Sequence, residues 1–491
     1  MLLALAALLC IASGFFLASV GWARRTPFAS DILWRASMSV GYGLGIFSVS
    51  FFFSRVCGIV HLAAMDLLIF GFLLVSLLLF RSVFRTPIAN EIEPTMGFDG
   101  PPWLSRFLKS AFAIALCVAA YATILRTLAH PSGDGWDAFA IWNLHARFLF
   151  LGGAHWRDGF SSLIPWSHPD YPLLLPAAIA HFWTYLGHED RSIPAVISLC
   201  FTFGTVGLLF SSLSLLRGST SAMLGSLTLL STPFFIAQGT SQYADVPLSF
   251  FLLATVVHLC LHDRDSADGH ASPGVLFLAG VSAGFAAWTK NEGLLFLCAI
   301  LAARALIFLR PRLTRDASSS LPPVRLRENW STLAPLLAGA APALLLVAGF
   351  KHFLAPPGDL FSNSGVMMHK LLDPVRYWVV VKWFAKEFLL FGHGLIPCTL
   401  LLIGFYFASG RGERRETTAG FRTSRLAMIF TLAGFFAIYL ITPYDLYWHL
   451  RFSLSRLFLQ LWPSVIFLFF VALPPGMTGP SQNRLKMILM P

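Results

Sequence analysis

At 491 residues, 56% hydrophobic and only 12% charged, the chain carries about half the charged fraction of a soluble globular protein. Many apolar runs approach the roughly 20 residues a helix needs to cross hydrocarbon, which excludes a soluble single-core domain and predicts an all-α polytopic transmembrane bundle. The formal net charge of +11 does not signal nucleic acid, because the arginines fall in short clusters between apolar runs, as topology determinants do. The seven cysteines (Cys10, Cys57, Cys117, Cys200, Cys260, Cys298 and Cys398) are scattered and form no CxxC pair, so buried free thiols explain them better than disulfides or zinc.

Thirteen spanning helices are expected, near residues 2–22, 36–54, 58–80, 107–128, 191–215, 219–238, 246–262, 274–289, 293–309, 331–350, 387–408, 426–441 and 457–474. The first lacks a basic n-region and reads as a span rather than a cleaved signal peptide. Loop lengths divide the chain into a three-helix leader (1–80), a cytoplasmic linker (81–106), a core (107–310) with a first outer loop at 129–190, and a C-terminal transmembrane region (311–491) with outer loops at 351–386 and 442–456. In the third helix, His61 and Asp66 are five apart and point to roughly opposite sides, which suits packing within the bundle.

After the helix at 107–128 comes "GDGWDAFAIWNLHARF" (133–148). Its apolar residues recur at three to four positions after Asp137, predicting an amphipathic helix on the membrane with Asp137 in its first turn. Either Asp134 or Asp137 is compatible with N-capping. Two acids flanked by Trp136 and Trp142 also suit a polar pocket, where a partly dry carboxylate is a good general base. The segment 172–187 is short, with two prolines and His181. If it spanned, both five-arginine clusters (310–327 and 411–425) would move outside, so the positive-inside rule makes it re-entrant or interfacial. The unusual polar stretches then gather on the outer side.

Asp245 in "SQYADVPLSFF" is compatible with an N-cap before Pro247 and equally with a cavity ligand. In "WTKNEGLLF", Lys290 and Glu292 occupy a very tight turn, where they either pair together or serve an anionic ligand such as phosphate. "HKLLDPVRYWVVVKWFAKE" (369–387) reads first as a basic amphipathic helix touching anionic headgroups, and second as a lid over a lipid pocket. In "YDLYWHLRFSLSRLFLQLWP", Asp445, His449, Arg451 and Arg456 precede the last span. His449 and Arg456 are seven apart and share a helical face, and the charges read either as anchors at a helix mouth or as an Arg/His pair gripping a phosphate or pyrophosphate, which fits the nearby acids better.

In order and spacing, these motifs over roughly residues 107–310 resemble the GT-C superfamily, polytopic glycosyltransferases that take a sugar from a polyprenyl phosphate or pyrophosphate. The chain is most similar to protein O-mannosyltransferases and the aminoarabinose transferases of lipid A. "WDAFAIWNLHARFLF" occupies the place of the family's acidic D-E-x-x-Y motif, with Ala138 at its second acid and the tyrosine missing. "HPDYPLLLPAAIAHFWTYLG" resembles the family's juxtamembrane segment, "TPFFIAQGTSQYADVPLSFF" the stretch where an outer Asp precedes a helix, and "LAGVSAGFAAWTKNEGLL" a later passage ending in Lys.

The resemblance implies a GT-C-like fold, a polyprenyl-phosphate-linked sugar donor and a membrane lipid environment, in a bacterial inner membrane with the site facing the periplasm. It implies catalytic roles for Asp137 and Asp134, with Asp137 favoured. Asp245, Lys290, Glu292, His449, Arg451, Arg456, Trp142 and His168 are the candidate substrate-binding residues. No cofactor is assigned. A divalent cation on Asp134, Asp137 and Asp245 stays open, as does the oligomeric state. The rival functions are a flippase for an anionic lipid-linked sugar and a non-catalytic partner in envelope glycan assembly.

Overall fold

The computed structural model describes residues 2–21, 29–83, 102–267, 272–313, 326–358, 360, 364–394, 397–408 and 418–473. Most of the expected inner arginine clusters lie outside the described residues, including Arg24, Arg25, Arg85, Arg315, Arg325, Arg411, Arg414 and Arg415, as does most of the 81–106 linker.

The described chain is helical, without strands. In order, the helices are α1 (Leu2–Gly21), α2 (Ala29–Cys57), α3 (Leu62–Val83), α4 (Pro102–Ala129), α5 (Asn143–Leu151), α6 (Leu174–Leu186), α7 (Ser192–Arg217), α8 (Ser219–Leu230) and α9 (Pro233–Thr240). They continue as α10 (Asp245–Ala267), α11 (Pro273–Thr289), α12 (Asn291–Leu313), α13 (Leu326–Phe353), α14 (Ser364–Leu371), α15 (Pro374–Leu390), α16 (Cys398–Ala408), α17 (Ala419–Ile441) and α18 (Leu446–Ala472). The all-α polytopic expectation is borne out. Among the described residues, ten helices are long and apolar enough to cross a membrane, or eleven if one bent pair counts as a span.

The count of thirteen needs three corrections. The expected span at 219–238 is two helices, α8 and α9, bent by 68°. Pro233 opens α9, and the residue before a proline is pushed out of the helical region, as Thr232 is at φ −94°, ψ 95°. The expected span at 387–408 is broken: α15 ends at Leu390, Gly392 follows at φ 106°, and α16 has only 11 residues. The two breaks are tied together, the Phe234 amide donating to the Gly392 carbonyl at 3.1 Å. The helix expected at 274–289, α11, has 17 residues and is shorter than the other spans.

α10 is the hub. Its sequence is apolar all round, as a helix enclosed by others requires, and its spanning window is buried throughout. α2 is built into the same bundle. The Tyr42 hydroxyl lies 2.9 Å from Ser282 and donates to the Leu278 carbonyl, the Trp288 indole donates to Ser48 at 3.0 Å, and Ser30 meets Ser214 at 2.7 Å. α1 and α2 touch backbone to backbone, because a side-chain carbon on Gly14 or Gly43 would collide with the Ser39 or Cys10 carbonyl.

The segment 172–187 forms a helix shorter than the roughly 20 residues a crossing needs, and it is packed inside the protein rather than along a surface. α6 has 13 residues, is buried from Leu174 to Trp183, and ends on Gly187 at φ 82°. His181 is fully buried and shares Asp66 with the Tyr185 hydroxyl and Ser50, at 2.9, 2.6 and 3.1 Å. Asp66 therefore packs within the bundle, whereas His61 is exposed just ahead of α3.

Two ends of the bundle are distinguishable. At one, Arg217 donates to the Leu473 carbonyl, Arg264 to the Leu215 carbonyl, and Asp263 accepts from the Gly420 and Phe421 amides. The polar stretches at 130–190, 243–245, 290–293, 351 and 439–456 meet at the other.

Candidate active site

Four segments converge at that second end. Asp245, wholly buried at the start of α10, accepts hydrogen bonds from Arg456 Nε at 2.7 Å, Lys290 Nζ at 3.0 Å and Gln460 Nε2 at 2.7 Å. Arg456 reaches on with Nη1 to Asp137 at 2.6 Å, and Lys290 reaches Glu292 at 2.9 Å. The result is a chain of alternating charge, Asp137–Arg456–Asp245–Lys290–Glu292. Its charges satisfy each other, which buried charge requires. Neither Asp137 nor Asp245 spends its carboxylate on helix capping.

Local sequence explains each placement. Arg456 and Gln460 are four apart on α18, hence on one face, and that face carries Ser453 and His449 in the preceding turns. Lys290 sits in extended conformation where α11 stops, so its side chain turns back toward α10. Burial opposes its charge, but Asp245 and Glu292 hold the ammonium above the ordinary lysine range. Asp137 precedes a π-turn, Ala138–Trp142, a wider helical turn of the sort that recurs at functional sites.

The segment between α4 and α5 is clasped to the start of α10 by Gln242. It accepts from Asn143 at 2.9 Å and donates to the Pro131 carbonyl at 3.1 Å, gripping both ends of the stretch that carries the two aspartates. Tyr243 lies beneath the Arg456 guanidinium, 4.6 Å from its ring centre, and its hydroxyl donates to the Asp134 carbonyl. Burial, then the Asp137 charge, push that hydroxyl up to about 12.

Several sequence expectations are corrected here. The helix after Asp137 is inserted in the protein rather than lying on the membrane: Ala138, Ile141, Trp142, His145 and Leu149 are buried. Trp142 is a core residue, stacked on Tyr171 with ring centres 5.8 Å apart, and is not at a boundary. Asp134 stands apart from the cluster, its carboxylate paired with Arg126 at the end of α4. Asp445 is an N-cap, accepting from the Trp448 amide at 2.8 Å.

Arg451 faces away from the cluster, into a groove with Lys386. The cation trio is not assembled either: Asp134, Asp137 and Asp245 are bound to arginines, and among the described residues no group of three or more His, Cys, Asp or Glu could hold a metal ion. His449 lies near the site, bonded to Thr442 at 2.8 Å and within electrostatic reach of His168, Glu292 and Lys290.

His168 belongs to a stack the sequence did not predict. Its ring lies 4.6 Å from Tyr171, which lies against Trp142 on its other side, and Lys290 Nζ is 5.9 Å from the Tyr171 ring centre. Burial, then Glu292 and Asp170, raise the Tyr171 hydroxyl well above the usual tyrosine range. Asp170 accepts from Asn291 at 2.9 Å and from Lys351 at 3.3 Å. It thus ties this loop to the start of α12 and the last turn of α13.

Residues 167–321 match the model of the dolichyl-phosphate-mannose-protein mannosyltransferase family. The match covers about a third of the chain, and over that stretch the sequence is similar to GT-C glycosyltransferases. It holds His168, Asp170, Tyr171, Asp245, Lys290 and Glu292, which includes three of the five members of the charge chain and all of the aromatic stack except Trp142. No curated protein and no solved structure matches the chain. Asp137 and Arg456 complete the cluster from outside the matched region, one from each side of it in sequence.

Proposed function

We propose that the protein transfers a sugar from a polyprenyl-phosphate-type donor to an envelope glycan, lipid or protein acceptor on the outer face of a bacterial inner membrane, and that Asp137 is its catalytic base. The observation carrying this reading is the convergence of Asp137, Arg456, Asp245, Lys290 and Glu292 at one end of the bundle.

In the proposed step an acceptor hydroxyl attacks the anomeric carbon and its proton passes to Asp137. The bond from that carbon to the phosphate oxygen breaks, and the lipid phosphate leaves with the electron pair. Arg456 and Lys290 neutralise it, acting where charge develops in the transition state. Asp245, bonded to both cations and to Gln460, fixes their positions before substrate arrives. Asp134 has no part in the step, being held by Arg126 at the edge of α4.

The test is transfer from radiolabelled polyprenyl-phosphate sugars, mannose first, in membranes containing the full chain. Asp137→Asn is expected to lose roughly 10²–10⁴-fold, the usual contribution of a general base, while Asp134→Asn keeps most activity. Full activity in Asp137→Asn, or the larger loss in Asp134→Asn, would overturn the assignment.

A further inference from the structure

α18 presents two different faces in its first turns. His449, Ser453, Arg456 and Gln460 follow one another at helical spacing toward the charge chain. Tyr447, Trp448, Arg451 and Phe452 form the other face and, with Trp383 and Lys386 of α15, line an open groove of about 560 Å³. Arg451 is five residues from Arg456, hence well round the helix from it, so an occupant of the groove leaves the Arg456–Asp245 pair untouched.

The groove has a definite chemistry. Each wall supplies one exposed cation set beside an aromatic ring: Lys386 Nζ is 5.5 Å from the Trp383 ring centre and the Arg451 guanidinium 5.7 Å from that of Phe452. Tyr447, Trp448 and Phe452 are all more than half exposed. Amphipathic rings beside cations are what a protein places at headgroup level. Earlier along α15, Val375 and Trp378 are exposed, an apolar track leading away from the two charges.

We propose that this groove binds the phosphate headgroup of an anionic membrane lipid, with the acyl chains lying along the apolar track of α15. Lys386 and Arg451 meet the phosphate from opposite walls, and Trp383 and Trp448 flank it. The lipid thereby fastens α15 to the helix that carries Arg456. This assignment is independent of the transfer reaction and gives Arg451 a partner outside the charge chain.

The test uses the purified full chain in detergent, titrated with brominated phosphatidylglycerol or brominated phosphatidylcholine, with tryptophan quenching as the readout. Phosphatidylglycerol is expected to quench at lower concentration, and the preference should fall about fivefold for each cation removed in Lys386→Gln and Arg451→Gln. The charge-retaining pair Lys386→Arg and Arg451→Lys should restore it, which separates loss of the site from loss of fold. Equal quenching by the two lipids, or an unchanged preference in the double Gln variant, would refute the proposal. Displacement of the lipid by millimolar inorganic phosphate would also refute it, making the groove a site for free phosphate groups.

Discussion

Replacing Asp245 by Asn removes the one carboxylate shared by both buried cations. The side chain keeps its shape, but Arg456 is left with Asp137 alone and Lys290 with Glu292 alone. Taking one partner from a buried ion pair typically costs about 3–5 kcal/mol, because the other charge remains desolvated. Two neighbouring carboxylates still compensate in part, which places the expected loss near the bottom of that range, about 3 kcal/mol. That corresponds to roughly a hundredfold fall in the ratio of folded to unfolded protein. Asp134→Asn is the matched control. It also breaks an aspartate–arginine pair, but one whose side chains are 38% and 40% exposed, where a pair contributes about 0–1 kcal/mol. Unfolding of the purified full chain by graded SDS in mixed micelles, followed by tryptophan fluorescence, measures both. If the two variants unfold at the same SDS fraction, the charge chain is not the buried, mutually dependent unit described here.

Arg456→Lys keeps the charge but not the reach, since one ammonium cannot occupy both the Nε position at Asp245 and the Nη1 position at Asp137. Sugar transfer is expected to fall by roughly 10²-fold, the scale for loss of one well-placed donor, and wild-type rates would contradict the proposed step. A pH effect follows from His145, whose imidazole burial pushes down to about 4, against about 6.5 in an unfolded chain. Between those values the unfolded state binds the extra proton, so this stability is complete above about pH 6.5 and drains away toward pH 4, by up to about 3 kcal/mol. SDS unfolding at a series of pH values should show that slope in the parent and a flatter one in His145→Gln. Identical slopes would show that His145 is not the titrating group.

Apolar run length made most of the bundle legible, because a helix that faces lipid or other helices on every side is written as twenty apolar residues. It misled where the backbone, not the side chains, decides. Thr232–Pro233 and Gly392 interrupt runs whose hydropathy is continuous. Asp137, Asp245, Lys290, Glu292 and Arg456 were legible as candidates because charges stand out between apolar runs, although capping, pairing or anchoring also explained each of them from sequence. Run length and charge do not report orientation, which is why Arg451 and Arg456 looked equivalent five residues apart. Gln242, Gln460 and Tyr171 were missed for a different reason. Their types are ordinary at membrane boundaries, and only the long-range fold shows what they hold. The "HPDYP" turn offered a signal, an acid and a tyrosine between prolines, which the structure resolves into Asp170 and Tyr171.

The polar contacts of α2 bear on how the chain is made. Tyr42 and Ser282 are 240 positions apart, and at about 5–20 residues per second the first waits roughly 10–50 s for the second to be synthesised. Through that interval the early helices sit in the bilayer with a hydrophilic seam (Tyr42, Ser48, and Asp66 still lacking His181 and Tyr185) that lipid cannot satisfy. Assembly therefore requires this seam to be shielded, by an insertion chaperone or by temporary pairing among α1, α2 and α3, until α6 and α11 arrive to close it.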